Sequence, residues 1–252
     1  KGTGKSYMMS QISKYGWLIS GGIVSRAKLF YDLSRKTPGL VTKYDYIAFD
    51  EIQTISFSDQ AEIAGALKGY LESGECRVGA EKITGRAGIV IMGNIEHNKM
   101  SDKKNVFEDL PSIFSESALL DRFHGFIRGW DIPRMKENMK AEGWALNVEY
   151  FSEILHALRD ELNYSYVVDE MLEIPKNADH RDTVAIKRIC TGLLKLLFPH
   201  VRKPDDISPS DFEKYCLEPA KDMRLFIRNQ LHKLDPEEYS PEIPDIRLRY
   251  YG

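Results

Sequence analysis

The 252-residue chain is 42% hydrophobic and 29% charged, which supplies apolar surface for one large or two small folded domains and excludes an intrinsically disordered chain. A net charge of -3 excludes a globally basic nucleic-acid binder, so any such surface has to be local. The longest apolar runs, such as 192–197, are too short and too broken by charge to cross a bilayer, and Cys76, Cys190 and Cys216 form no CxxC pair, which argues against a disulfide framework or zinc ribbon and for a reducing cytoplasm.

The chain opens on KGTGKSYMMS. Gly4-Lys5-Ser6 are the last three positions of the phosphate-loop pattern G-x-x-x-x-G-K-[ST], whose first glycine falls upstream of Lys1. Backbone N–H groups of Gly2, Thr3 and Gly4 suit phosphate oxygens, Lys5 suits the β and γ phosphates, and Ser6 suits magnesium. A helix over SYMMSQISKY is expected to follow and to aim its positive end at them. A tripeptide of this kind also occurs in ordinary glycine-rich turns, so it needs a second half.

That second half is YDYIAFDEIQTI. Tyr46–Phe49 reads as a short buried strand ending in Asp50-Glu51, an arrangement that is costly unless the acids meet a cation or leave the core. The functional reading gives Asp50 the magnesium and Glu51 the water that attacks the γ phosphate; the plainer one is a solvated strand end. Next, Ala87–Met92 reads as a central parallel strand ending at Gly93-Asn94. Asn94 suits the γ phosphate or the attacking water, or is simply a turn residue. Downstream, LLDRFHGFIRGWDIP places Arg122 after Asp121 and before a strand-like HGFIRGW. Arg122 is either a catalytic arginine or a partner in a structural ion pair.

Gly4-Lys5-Ser6, Asp50-Glu51, Asn94 and Leu120-Asp121-Arg122-Phe123, in this order, resemble the AAA+ ATPases. The resemblance implies an α/β fold with a parallel sheet, ATP and magnesium as cofactors, Asn94 as sensor 1, and Arg122 as an arginine finger acting on a neighbouring subunit of a homo-oligomeric ring, a hexamer or larger. LKGYLESGECRVGAEKITGRAGIVIMGN looks like the presensor-1 hairpin of the branch holding Lon proteases and minichromosome-maintenance helicases. More narrowly, WLISGGIVSRAKLFYD, YLESGECRVG and HRDTVAIKRICTGLLKLLFPH are similar to the BrxL family of Lon-related proteins in BREX phage-defence systems. This implies a fragment with the first core strand and a DNA-binding region upstream, a Lon-like domain downstream, and other BREX components as partners, with no membrane.

After Pro133 the pattern turns helical. Residues 1–133 read as the nucleotide-binding subdomain, 134–148 as a linker, 149–234 as an all-helical lid and 235–252 as a second linker. Phe151, Ile154, Leu155, Leu158 and Leu162 trace one helical face, DTVAIKRICTGLLKLLFP is a helix stopped by Pro199, and Ser210 with Glu213 suggests a capping box before a helix that Pro219 should kink. By resemblance to sensor 2, Arg181 reaches the γ phosphate, with Arg188 the alternative and a solvated helix face the plain reading.

Three functions compete: a DNA-engaging motor, a protein unfoldase of a Lon-like protease, and a nucleotide-dependent scaffold. Glu51 weighs against the scaffold, which needs no base beside the magnesium acid. Arg77, Lys82 and Arg86 against Glu81 give the hairpin a modest positive excess for DNA phosphates, whereas the aromatic nearest to it, Tyr70, falls in an expected helix. No Ser-Lys peptidase pattern is present. The histidines, His97 to His232, show no ligand spacing, so no metal besides nucleotide-bound magnesium is expected.

Overall fold

A computed structural model describes residues 2–96, 100–101, 104–108, 110–114 and 116–249, so His97 lies outside the described residues. The chain divides into two compact units, residues 1–119 with 128–156, and residues 120–127 with 157–252. This division assigns 120–127 to the second unit and 149–156 to the first.

The first unit begins with α1 (Lys5–Gln11), then β1 (Gly16–Val24), α2 (Arg26–Leu29) and the short pair β2 (Tyr31–Asp32) and β3 (Thr37–Pro38). β4 (Tyr46–Phe57) leads through α3 (Gln60–Ser73) into β5 (Glu75–Val78), β6 (Glu81–Thr84) and β7 (Gly88–Ile91). The main sheet is parallel and ordered β1-β4-β7. Ile47, Ala48 and Phe49 of β4 are buried, as a strand flanked on both sides requires.

Three expectations for this unit are corrected. The β4 strand does not end at Asp50-Glu51 but runs through them to Phe57. It can do so because its register against β1 slips there: Ser20 faces Asp50, while Gly22 already faces Ile55, and Glu51 adopts a left-handed φ of 46°, as in a β-bulge. The asparagine strand is Gly88–Ile91, and among the described strands it lies at the edge, because it pairs with β4 alone. The first helix stops at Gln11 with no buried residue to extend it.

The expected hairpin is present: β5 and β6 pair antiparallel, with Arg77 opposite Lys82. Tyr70 lies in α3 as expected and is buried, donating its hydroxyl to the Ala87 carbonyl at 2.7 Å.

The chain continues through α4 (Ser117–Leu120) and α5 (Val148–Arg159) into α6 (Asn163–Met171) and β8 (Leu172–Glu173), then α7 (His180–Leu197), α8 (Pro209–Phe212), a π turn (Glu213–Leu217), α9 (Glu218–Leu234) and β9 (Arg247–Leu248). The second unit's core joins Tyr164, Val167 and Val168 of α6 to Ile186, Cys190 and Leu194 of α7 and to Phe212, Cys216 and Leu217. Asp179 caps α7 by accepting from the Asp182 N–H at 3.0 Å, the geometry that suits a short acidic side chain at a helix start.

Further expectations change. HGFIRGW forms no strand, since 124–130 have no strand partner among the described residues. Leu162 leaves the α5 face: it precedes α6 and is 78% exposed. The cap is Ser208, two residues before Ser210, and its hydroxyl accepts from the Asp211 N–H at 3.1 Å with Pro209 in the first turn, the position where a missing N–H costs nothing. The interruption expected at Pro219 is present: a π turn ends at Leu217, and Pro219 lies in the first turn of α9. The stretch expected as a linker from 235 contributes Ile246 and Leu248 to the core and pairs β9 with β8.

Candidate functional site

A cavity of about 330 Å³ in the first unit is lined by the phosphate-loop residues Gly2, Thr3, Gly4, Lys5 and Ser6 together with Asp50, Glu51 and Asn94. These residues come from three places in the chain. The loop is shaped by Gly4, whose φ of 78° caps α1 in the left-handed region, where a side chain is strained. It is propped from one side by Met135: its N–H donates to the Gly2 carbonyl at 3.0 Å, and its side chain lies 3.4 Å from where a Gly4 Cβ would stand.

The acids are placed by the slip in β4. Asp50 is 8% exposed and accepts the Glu51 N–H at 3.0 Å, while the Glu51 side chain projects into solvent. Thr54 donates its hydroxyl to the Glu51 carbonyl at 2.8 Å, closing the bulge. Asn94 is fixed by a residue that sequence reasoning missed. Gln53 donates from Nε2 to the Asn94 carbonyl at 3.2 Å and accepts the Asn94 N–H at 3.4 Å, which fixes the Asn94 backbone at the cavity it lines. Gln53 stands two residues past the acids in FDEIQ, and no local pattern ties it to Asn94.

The chemistry of this cavity suits an anion and a hard cation. The Thr3 hydroxyl is buried without a hydrogen-bond partner, a group that calls for a ligand oxygen. Among the described residues, Lys5 has no carboxylate partner. Ser6 and Asp50 offer oxygen ligands, the number and type that magnesium takes from protein when phosphates and water supply the rest. No group of three His, Cys, Asp or Glu that could hold a metal ion occurs among the described residues.

Arg122 and Arg181 belong to the second unit. Arg122 occupies the turn after α4. Arg181, in the first turn of α7, is 40% exposed at its side chain and pairs through Nη1 with Asp121 Oδ2 at 2.8 Å. Asp121 also takes Arg224 Nη2 at 2.7 Å, and Arg224, on α9, is fully buried. Arg188 donates to His124 Nε2 at 2.9 Å, which leaves the His124 proton on Nδ1.

Burial, reinforced by Arg188 and Arg224, holds His124 down to about 4. The folded unit therefore keeps His124 neutral while the unfolded chain protonates it from about 6.5 downward. Stability from this source is complete above pH 6.5 and is lost as pH falls toward 4, by about 2 to 3 kcal/mol in all. The stability advantage of the natural chain over His124→Gln is expected to shrink by that amount between pH 7 and pH 4 in denaturant unfolding. A pH-independent difference would exclude a buried neutral imidazole.

Arg77, Lys82 and Arg86 are exposed on and beside the hairpin. Lys82 pairs with Glu75 at 2.8 Å, so two acids, Glu75 and Glu81, offset the three cations and one net positive charge remains. The three cysteines are buried and free; burial pushes Cys76 and Cys216 up to about 11 and raises Cys190, which leaves them inert thiols. Among the described residues, no helix is long and apolar enough to cross a membrane.

A parallel α/β sheet carrying this cavity has the architecture of an ATPase domain. The family described as "Lon-like protease BrxL-like, ATPase domain" matches residues 1–245, and the chain belongs to it. It is 32% identical over 241 residues to the Lon-like protease BrxL of Escherichia coli O9:H4 (strain HS), covering 95% of this chain and 34% of that protein. It is 33% identical over 203 residues to the Lon-like protease BrxL of Bacillus cereus (strain H3081.97), covering 79% of this chain and 30% of that protein. The chain thus spans about a third of the length of the curated relatives it matches.

Proposed function

We propose that this chain is the ATP-hydrolysing core of a ring-forming, DNA-engaging motor in BREX-type phage defence, acting in the cytoplasm. The observation that carries the proposal is the convergence of Lys5, Ser6, Asp50, Glu51 and Asn94 on one cavity beside the unsatisfied Thr3 hydroxyl. Lys5 and the N–H groups of the Gly2–Gly4 loop bind and neutralise the phosphates of ATP. Ser6 and Asp50 hold magnesium, which supplies charge neutralisation at the β and γ phosphates. Glu51 polarises the attacking water, and Asn94, steadied by Gln53, orients it against the γ phosphate. Arg122 acts on the nucleotide of a neighbouring subunit, and Arg181 reports the nucleotide state of its own.

DNA is favoured over protein as the substrate because the hairpin exposes Arg77, Lys82 and Arg86, whereas Tyr70 is buried and unable to grip a threaded polypeptide. The name of the relatives, Lon-like protease, supports the second reading, a protein unfoldase. The two separate in one experiment on the complete protein, in which ATP hydrolysis is measured with double-stranded DNA, with an unfolded protein, and with neither, across salt. Stimulation by DNA that fades as salt rises is expected, since phosphate contacts release counterions. Stimulation by unfolded protein alone overturns the DNA reading.

A further inference from the structure

Among the described residues, Arg224 is the largest fully buried side chain. A guanidinium in that position is tolerated only when its N–H groups find strong acceptors. Here Nε meets Asp182 Oδ1 at 2.6 Å, Nη2 meets Asp121 Oδ1 at 2.7 Å, and Nη1 reaches two backbone carbonyls, those of Asp121 at 3.0 Å and Phe123 at 2.8 Å. Those two carbonyls belong to the residues immediately before and after Arg122. One side chain of α9 therefore grips the backbone on both sides of Arg122.

The grip is reinforced along the same segment. The Phe126 N–H donates to the Met223 carbonyl at 3.2 Å, and the Phe126 ring stacks on Phe226 at 4.1 Å between centroids. Asp121 is also shared: its second oxygen holds Arg181. The turn carrying Arg122 is thus fastened to α9 and, through Asp121, to the start of α7. A general structural staple needs only the carboxylates. The paired carbonyl contacts do something narrower, which is to fix the peptide planes that set where the Arg122 side chain departs.

We infer that Arg224 is a positioning residue for Arg122, holding the turn in the geometry from which Arg122 acts on a neighbouring subunit's nucleotide. This inference rests on the reading of Arg122 given above. Lysine at position 224 keeps a charge for the carboxylates but lacks the planar fork that spans two carbonyls. In the complete protein, Arg224→Lys is expected to lower kcat for ATP hydrolysis by about 10- to 100-fold, with KM changed less than about threefold, as a misplaced catalytic group does. The double variant Arg122→Ala/Arg224→Lys should be no slower than Arg122→Ala alone, because the positioning residue has nothing left to position.

Mixing separates this from a structural effect. Arg224→Lys subunits mixed with Glu51→Gln subunits should regain activity, because each supplies at some interfaces what the other lacks; a defect confined to a subunit's own site is not rescued. Asp121→Asn, which is isosteric and keeps the carbonyl contacts available, carries the same prediction with a loss of about three- to tenfold if Arg224→Lys does not fold. If Arg122→Ala itself leaves kcat unchanged, the reading of Arg122 fails. If Arg122→Ala abolishes turnover while Arg224→Lys and Asp121→Asn retain it, or slow it additively and without rescue, the positioning role is overturned.

Discussion

Glu51→Gln in the complete protein is expected to bind ATP as the natural protein does and to hydrolyse it at least about 100-fold more slowly. The argument is geometric and chemical together. Asp50 is buried and held by the Glu51 N–H, so it is fixed as a ligand, whereas Glu51 is displaced from the core by its left-handed φ and reaches solvent at the cavity. A glutamine keeps the shape but cannot accept a proton, and loss of a positioned base typically costs about 10²- to 10⁴-fold. Lys5→Ala is the contrasting variant: without the charge that neutralises phosphate, nucleotide binding itself should weaken. The two are told apart by equilibrium binding of a fluorescent ATP analogue beside steady-state turnover. Normal hydrolysis by Glu51→Gln would remove the proposed mechanism.

Arg122→Ala should lower turnover by about 10³-fold, the size of effect expected of an arginine that stabilises transition-state charge. Its binding of ATP should survive, since the cavity in the first unit is lined without it. The diagnostic behaviour is in trans. Arg122→Ala subunits and Glu51→Gln subunits are each inactive alone, yet a mixed ring contains interfaces with an intact Glu51 on one side and an intact Arg122 on the other. Partial recovery that varies with mixing ratio is expected; no recovery at any ratio would place Arg122 outside a shared site.

Much of the first unit was legible in the sequence because its signals are local. The phosphate loop is written in three adjacent residues and the acids in two, while the hairpin was expected through the family resemblance. β1 was harder to read: the double glycine in WLISGGIV imitates a turn, and only pairing with β4 makes Gly16–Val24 a strand. The continuation of β4 past its acids was illegible for a related reason, since the register slip that permits it involves a partner strand. Gln53 and Asn94 lie 41 residues apart, and the Asp121–Arg224 bond joins residues 103 apart; no periodicity within either segment foretells such pairs. Helix α7 was legible because its apolar stripe and its terminating proline agree.

The slip in β4 gives the strand two mechanically unequal halves. Tyr46–Phe49 is held on both flanks, by β1 and β7, whereas among the described strands Ile55–Phe57 pairs with β1 alone. Asp50 and Glu51 sit at the junction, so the strand is a lever with a clamped end, a looser end and its fulcrum at the acids. The loose end runs directly into α3, a rigid rod of ~21 Å, and α3 delivers the chain to the hairpin bearing Arg77 and Lys82. A tug on Glu51 therefore has a short covalent transmission line to the tip of the hairpin, with no flexible coil in between to absorb the stroke.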